Sequence, residues 1–141
     1  MPNQILHIDD SAFILHLVST QLRKHGFEVV SLDDPTKAID TIKALDIRIC
    51  IIDNLMPGMN GIELLESIKQ MDSSIQVIML SGKMQVAAIA KACHLGAEAC
   101  FFKPVKSFDS LIEFLVDASN KNDHWMDVLE HSHCDFSEHS V

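Results

Sequence analysis

The chain has 141 residues, with 20 Asp and Glu against 11 Lys and Arg, and a formal net charge of −9 at pH 7. This length is typical of one domain, and a hydrophobic content of 48% is enough to build a core. The acidic balance argues against nucleic acid and anionic membrane surfaces, because both are bound by clustered Lys and Arg. The sequence contains no apolar stretch of bilayer length and no signal-peptide pattern, so we expect a cytoplasmic protein.

Short apolar runs alternate with segments in which apolar residues recur at helical spacing. Runs of this length, rich in Ile and Val, are typical of buried strands in a parallel sheet. In chain order the predicted elements are a strand at 4–9, a helix at 11–25, a strand at 28–32, a helix at 34–45, a strand at 47–52, a loop at 56–61, a helix around 62–68, a strand at 75–80, a helix at 84–95, a strand at 99–102 and a helix at 108–118.

This alternation predicts an α/β fold, a doubly wound five-stranded parallel sheet with helices on both faces. We expect the flavodoxin-like strand order 2-1-3-4-5, whose switch point lies between the first and third strands. The domain is predicted to span residues 1–118. Residues 119–141 are predicted to form a polar, His-rich tail, helical for a turn or two around 124–129.

Polar side chains stand where the predicted strands end. Asp9 and Asp10 follow the first strand, Asp53 the third, Ser81 the fourth and Lys103 the fifth. Because ligands bind at the carboxyl edge of such a sheet, we expect these five residues to surround one site.

Three carboxylates at one edge repel each other by roughly 4 kcal/mol per pair at about 4 Å and an effective dielectric near 20. Mg²⁺ suits one or two carboxylates plus waters and a phosphate, and it would offset this repulsion. If Asp53 accepted a phosphoryl group, the metal, Lys103 and Ser81 could each hold one of its oxygens. The pattern therefore predicts a site for metal and phosphate.

These residues resemble the receiver domain of two-component response regulators. The resemblance covers about residues 4–118 and combines several motifs that would mean little singly. They are Asp9-Asp10-Ser11, Asp53 with the segment Met56-Pro57-Gly58-Met59-Asn60-Gly61, Ser81-Gly82, Gly96-Ala97 and Lys103-Pro104.

The resemblance implies that Asp53 takes a phosphoryl group from a histidine kinase, a phosphotransfer protein or a small-molecule donor. It implies Mg²⁺ held by Asp10, Asp53 and the backbone carbonyl of Leu55, with Asp9 acting through water. It further implies that Lys103 and Ser81 are phosphate ligands and switch elements, and that the bond from Lys103 to Pro104 is cis.

Two departures from the family pattern concern the conformational switch and the lifetime of the phosphoryl group. The family usually has an aromatic residue three places before the lysine, where this chain has Cys100, and we expect Phe101 and Phe102 to point elsewhere. The positions that tune the lifetime of the phosphoryl group hold Leu55 and Lys83. Because an apolar Leu55 cannot orient an attacking water, we expect self-dephosphorylation to take minutes or longer.

The leading hypothesis is a stand-alone signalling module that catalyses only its own phosphorylation and dephosphorylation. It would relay the change to a downstream effector protein, and self-association as a homodimer is also compatible. The alternative is a receiver-like interaction module that no longer depends on phosphorylation. A hydrolase with an aspartate nucleophile would need a second acid two residues after it, where this chain has Leu55. A flavin-binding protein of the same fold is disfavoured because the acid cluster lies where the flavin phosphate would approach.

The C-terminal segment is rich in potential ligands and also contains an apolar group. His131, His133 and Cys134 fit no standard structural zinc pattern, so we expect weak metal binding at most. The apolar group within residues 125–129 is interpreted as a docking segment. The four cysteines show no metal spacing and are expected to be reduced and mostly buried.

Overall fold

A computed structural model describes residues 4–56, 58–82, 86–102 and 109–132, with the backbone alone for Leu55 and residues 122–132. A five-stranded parallel sheet and a short antiparallel hairpin contain all the strands of this part of the chain. The strands are β1 (Gln4–Ile8), β2 (Glu28–Leu32), β3 (Ile49–Ile52), β4 (Leu55–Met56), β5 (Met59–Asn60), β6 (Gln76–Ser81) and β7 (Ala99–Phe102). The main sheet has the order β2-β1-β3-β6-β7, which confirms the predicted topology.

Five α-helices connect these strands in the described part of the chain. They are α1 (Ala12–Lys24), α2 (Ala38–Leu45), α3 (Gly61–Met71), α4 (Val86–His94) and α5 (Asp109–Ser132), and a 3-10 turn, Pro35–Lys37, precedes α2. Side-chain oxygens cap two of the helices, since Ser11 accepts from the N–H of Ile14 and Asn60 from the N–H of Ile62. Such caps satisfy N–H groups that a helix start leaves unpaired.

The sheet is covered by an apolar core on each face. Successive residues of a strand point to opposite faces, so Ile5 belongs to one core and Leu6 to the other. The core that contains Leu6 includes residues of α2, α3 and α4, while the core that contains Ile5 includes residues of α1 and α5. Burial on both faces explains why the central strands are almost continuously apolar.

Several predicted boundaries shift by one or two residues. β3 begins at Ile49, two residues after the predicted start, and Ser81 is the last residue of β6 instead of following the strand. The predicted loop at 56–61 contains part of the β4–β5 hairpin, with Gly58 at φ +82°. A left-handed backbone of this kind favours glycine, which has no Cβ to clash.

The last helix is longer than predicted. It continues past the predicted end at Ala118 to Ser132, through the stretch around 124–129 that was expected to be helical for a turn or two. Ala118 and Ser119 are both buried, so packing continues beyond the predicted end. No Gly or Pro occurs between Ser119 and Ser132 to stop the helix. None of the helices in the described ranges is long and apolar enough to cross a membrane.

Three cysteines lie within the described residues, and all three are free thiols. Cys50 is buried, Cys100 is half-buried and Cys93 is exposed, so the expectation of mostly buried thiols holds for only part of this set. Burial raises the pKa of Cys50 to about 12, which keeps that thiol protonated and unreactive.

Candidate functional site

Three carboxylates meet at the carboxyl edge of the main sheet. Asp9, Asp10 and Asp53 each offer an oxygen, and these oxygens all lie within 4.8 Å of one another. Asp9 and Asp53 are 0% and 4% exposed, whereas Asp10 is open to solvent. The three carboxylates are therefore close together, as expected from the sequence, and the cluster is open to solvent at Asp10.

Backbone hydrogen bonds between neighbouring strands hold two of these aspartates. The N–H of Asp53 donates to the carbonyl of Ile8 at 2.9 Å, and the N–H of Asp9 donates to the carbonyl of Leu32 at 3.1 Å. Both bonds extend the parallel ladder by one residue beyond the strand ends. The carboxylate of Asp9 also accepts from the N–H of Ser11 at 2.9 Å, which orients it at the start of α1.

Gly61 lies against the backbone of Asp53, a contact that spacing alone did not reveal. Its N–H donates to the carbonyl of Asn54 at 2.8 Å, and a Cβ built on it would lie 2.2 Å from the carbonyl oxygen of Asp53. Only glycine fits such an approach. The available sequence signal was a glycine directly after the cap Asn60, where a larger first residue would be usual.

The other predicted site residues differ in how far the structure describes them. Ser81 ends β6, the strand beside β3, and is 1% exposed at the same edge of the sheet. Leu55 lies in β4, two residues beyond Asp53, so its carbonyl belongs to the segment that leaves the cluster. Lys103, the bond from Lys103 to Pro104, and Lys83 lie outside the described residues.

The acid cluster has the composition of a magnesium site. Charges about 4.8 Å apart repel by roughly 3–4 kcal/mol per pair at an effective dielectric near 20. The converging ligands are carboxylate oxygens, which hard divalent cations prefer, and the exposed side at Asp10 leaves room for the waters that Mg²⁺ retains. The residues present therefore fit this ion.

The expected orientation of Phe102 is wrong. Cys100 pairs in register with Met79, and Phe102 pairs with Ser81. Residues two apart on a strand share a face, so Phe102 lies on the face of Cys100, while Phe101 contacts Phe114 on the opposite face. One of the two aromatics therefore stands beside a predicted phosphate ligand.

Comparison with known proteins agrees with this geometry. Residues 5–115 match the response regulator receiver domain family. The chain belongs to that family. It is 33% identical over 114 residues to the chemotaxis protein CheY of Bacillus subtilis, covering 80% of this chain and 94% of that protein. A receiver domain structure from Clostridium thermocellum superposes with a TM-score of 0.80 at 27% identity, over 86% of this chain and 98% of that one.

Other relatives are longer than the matched region. The DNA-binding response regulator MtrA of Mycobacterium leprae is 29% identical over 106 residues, which are 75% of this chain and 47% of that protein. The chain thus spans about half the length of several curated relatives that it matches. What this receiver domain shares with all of them is a part in phosphorylation-based signalling.

Proposed function

We propose that this receiver domain accepts a phosphoryl group on Asp53 and signals through the resulting change of conformation. The observation that carries the proposal is the convergence of three carboxylate oxygens within 4.8 Å at the carboxyl edge of the sheet. Asp53 follows the central strand β3, and its N–H is bonded to the carbonyl of Ile8. This bond fixes the backbone of Asp53 at the carboxyl edge of the sheet.

In the reaction, an oxygen of Asp53 attacks the phosphorus of the donor and forms an acyl phosphate. The bond from phosphorus to the donor atom breaks, and its electron pair leaves with the donor. Asp10, Asp53 and the carbonyl of Leu55 would hold Mg²⁺ directly, with Asp9 acting through water. The bound ion would neutralise charge on the phosphoryl oxygens. Ser81 donates a hydrogen bond to one of these oxygens, and Lys103 would contact another.

The donor is proposed to be a histidine kinase or a histidine phosphotransfer protein, and the receiver of the signal a downstream effector protein. Catalysis would be limited to the domain's own phosphorylation and dephosphorylation, and the setting would be the cytoplasm. Because Leu55 and Lys83 occupy the two sequence positions that tune the lifetime of the phosphoryl group in the family, dephosphorylation is expected to take minutes or longer. A half-life of seconds for the purified phosphoprotein in Mg²⁺ would contradict this.

Phosphoryl labelling of the purified chain tests the proposal. Wild-type protein incubated with acetyl phosphate and Mg²⁺ should gain the mass of one phosphoryl group, and Asp53→Asn should gain none. Asp33→Asn is the matched control, because Asp33 directly follows β2 as Asp53 follows β3. Labelling of the control should match the wild type, and EDTA should suppress it. Unchanged labelling of Asp53→Asn would overturn the proposal.

A second candidate is a receiver-like module that binds its partner without phosphorylation. The observation that favours it is Cys100, a half-buried thiol where the family usually has an aromatic residue. The same experiment separates the two functions. Wild-type protein that gains no phosphoryl group from acetyl phosphate with Mg²⁺ would support this second function.

A further inference from the structure

We propose that Phe102 transmits the state of Ser81 to the surface of the domain, in place of a residue at position 100. This inference rests on the proposed function, because it assumes that the Ser81 hydroxyl engages the phosphoryl group. It concerns a separate property, the route by which that engagement changes an exposed surface.

The strand register brings the two residues together. Ser81 and Phe102 are the last residues of β6 and β7, and they are direct partners in the parallel ladder. Paired residues of neighbouring strands project to the same face, with the strands about 4.8 Å apart. Of the preceding pair on that face, Met79 belongs to the core beneath α2, α3 and α4, and the partly buried Cys100 packs against that core. Phe102 therefore borders Ser81 on the face that α4 covers.

Exposure places Phe102 between the site and solvent. Ser81 is 1% exposed, whereas Phe102 is 49% exposed. β7 is the edge strand of the main sheet, so no described strand lies beyond it. On the β7 side, Phe102 is thus the ladder partner of Ser81 in the outermost described strand.

The direction of the change follows from the hydrophobic effect. A hydroxyl that turns toward a phosphoryl group on Asp53 leaves space on the α4 side of β6. Half of the aromatic ring is already in water, and moving it into that space removes apolar surface from solvent. Cys100 has a small side chain and cannot make the same change of surface. Phosphorylation should therefore lower the exposure of Phe102.

A single-tyrosine reporter measures this exposure directly. The chain has no Tyr and one Trp, Trp125, so Phe102→Tyr with Trp125→Phe contains one Tyr as its only strong fluorophore. The Stern–Volmer constant for acrylamide quenching should fall at least about twofold on phosphorylation, because a ring that is 49% exposed loses most of its accessible surface when it moves inward. Val116→Tyr in the same background is the matched control, since Val116 is 41% exposed on α5. Its quenching should not change.

Each result can be assigned because labelling is followed by mass in the same samples. Loss of the response in Ser81→Ala that still carries the phosphoryl group would support the route through Ser81. Unchanged quenching of a fully labelled Phe102→Tyr reporter, or an equal change at position 116, would overturn the inference alone. Failure of labelling would overturn the proposed function, and the inference with it. If the Tyr variant does not fold, Phe102→Trp with Trp125→Phe tests the same outcomes.

Discussion

Gly61 shows how one residue without a side chain shapes the site. A Cβ at this position would lie 2.2 Å from the carbonyl oxygen of Asp53 and 2.8 Å from the Cα of Asn54. These are backbone atoms, and the same peptide carries the proposed nucleophile. A substitution here should therefore disturb both stability and the position of Asp53.

We expect Gly61→Ala to lower the free energy of unfolding by roughly 1–3 kcal/mol, the usual cost of overpacking, and to slow labelling by acetyl phosphate. Urea unfolding followed by circular dichroism measures the first effect, and mass spectrometry the second. Gly82→Ala is the control for stability, because a Cβ there would meet nothing within 4 Å. Equal stability of the two variants would contradict the close approach.

At the scale of elements, Lys69 ties α3 to the amino ends of β6 and β7. Its Nζ donates to the carbonyl of Ile75 at 2.6 Å and to the carboxylate of Glu98 at 2.9 Å. The other oxygen of Glu98 accepts from the N–H of Val77 at 2.6 Å. The Lys69 side chain is only 12% exposed, so these bonds are shielded from water.

Lys69→Met should keep most of the packing but remove the charged donor. Because Glu98 and the carbonyl of Ile75 then lose a partner, we expect a loss of roughly 1–3 kcal/mol in unfolding free energy. Lys91→Met, at an exposed position of α4, should change stability by no more than about 0.5 kcal/mol. Urea midpoints of the two variants provide the comparison, and similar midpoints would show that the Lys69 bonds contribute little.

Asp72 links the end of α3 to the start of β3. Hydrogen bonds from the Ser74 hydroxyl, and then from Arg48 at 2.9 Å, lower the pKa of Asp72 to about 2 from its usual 3.8. A carboxyl group with a lowered pKa in the folded state stabilises the fold above its usual pKa and loses that contribution as the pH falls. The contribution is small, because the side chain is 40% exposed.

Stability of the wild type should therefore include a component that declines from about pH 4 to about pH 2, and Asp72→Asn should lack it. Urea midpoints measured across this pH range test the expectation. Asp40→Asn, on an exposed position of α2, is the control and should follow the wild-type curve. Parallel curves for wild type and Asp72→Asn would rule out the assigned cause.

For the whole molecule, we expect the acid cluster to couple folding to ion binding. Three carboxylates within 4.8 Å repel one another in the folded state, and an ion that binds only the folded state stabilises it by mass action. At about 100 times its dissociation constant, such an ion contributes roughly 2.7 kcal/mol. Stability and the proposed phosphoryl chemistry would therefore depend on the same three side chains.

Thermal unfolding with and without Mg²⁺ should reveal this coupling in the wild type and in Asp10→Asn. Mg²⁺ should raise the wild-type Tm. Asp10→Asn should unfold at a higher temperature than wild type in EDTA, because one repulsive charge is removed, and should gain little from Mg²⁺. Asp33→Asn should respond to Mg²⁺ as the wild type does. An undiminished Mg²⁺ effect in Asp10→Asn would exclude Asp10 as a ligand.

The sequence alone determined the fold class, the strand order and the meeting of Asp9, Asp10 and Asp53. The fold class depends on local spacing, since a short apolar run followed by a helical repeat dictates parallel strands, and parallel strands end at one edge. The strand order was supported by the acids after the first and third strands, which lie at the switch point of that order. The Ser11 cap is local in the same sense, because a capping side chain acts within its own helical turn.

Only the tertiary structure decided the features that depend on contacts between distant residues. Spacing could not show that Gly61 abuts Asp53, that Phe102 pairs with Ser81, or that α5 continues to Ser132. Register is set by which residues of two strands face each other across the sheet, and helix length by where packing stops. Neither quantity is contained in the periodicity of a single segment.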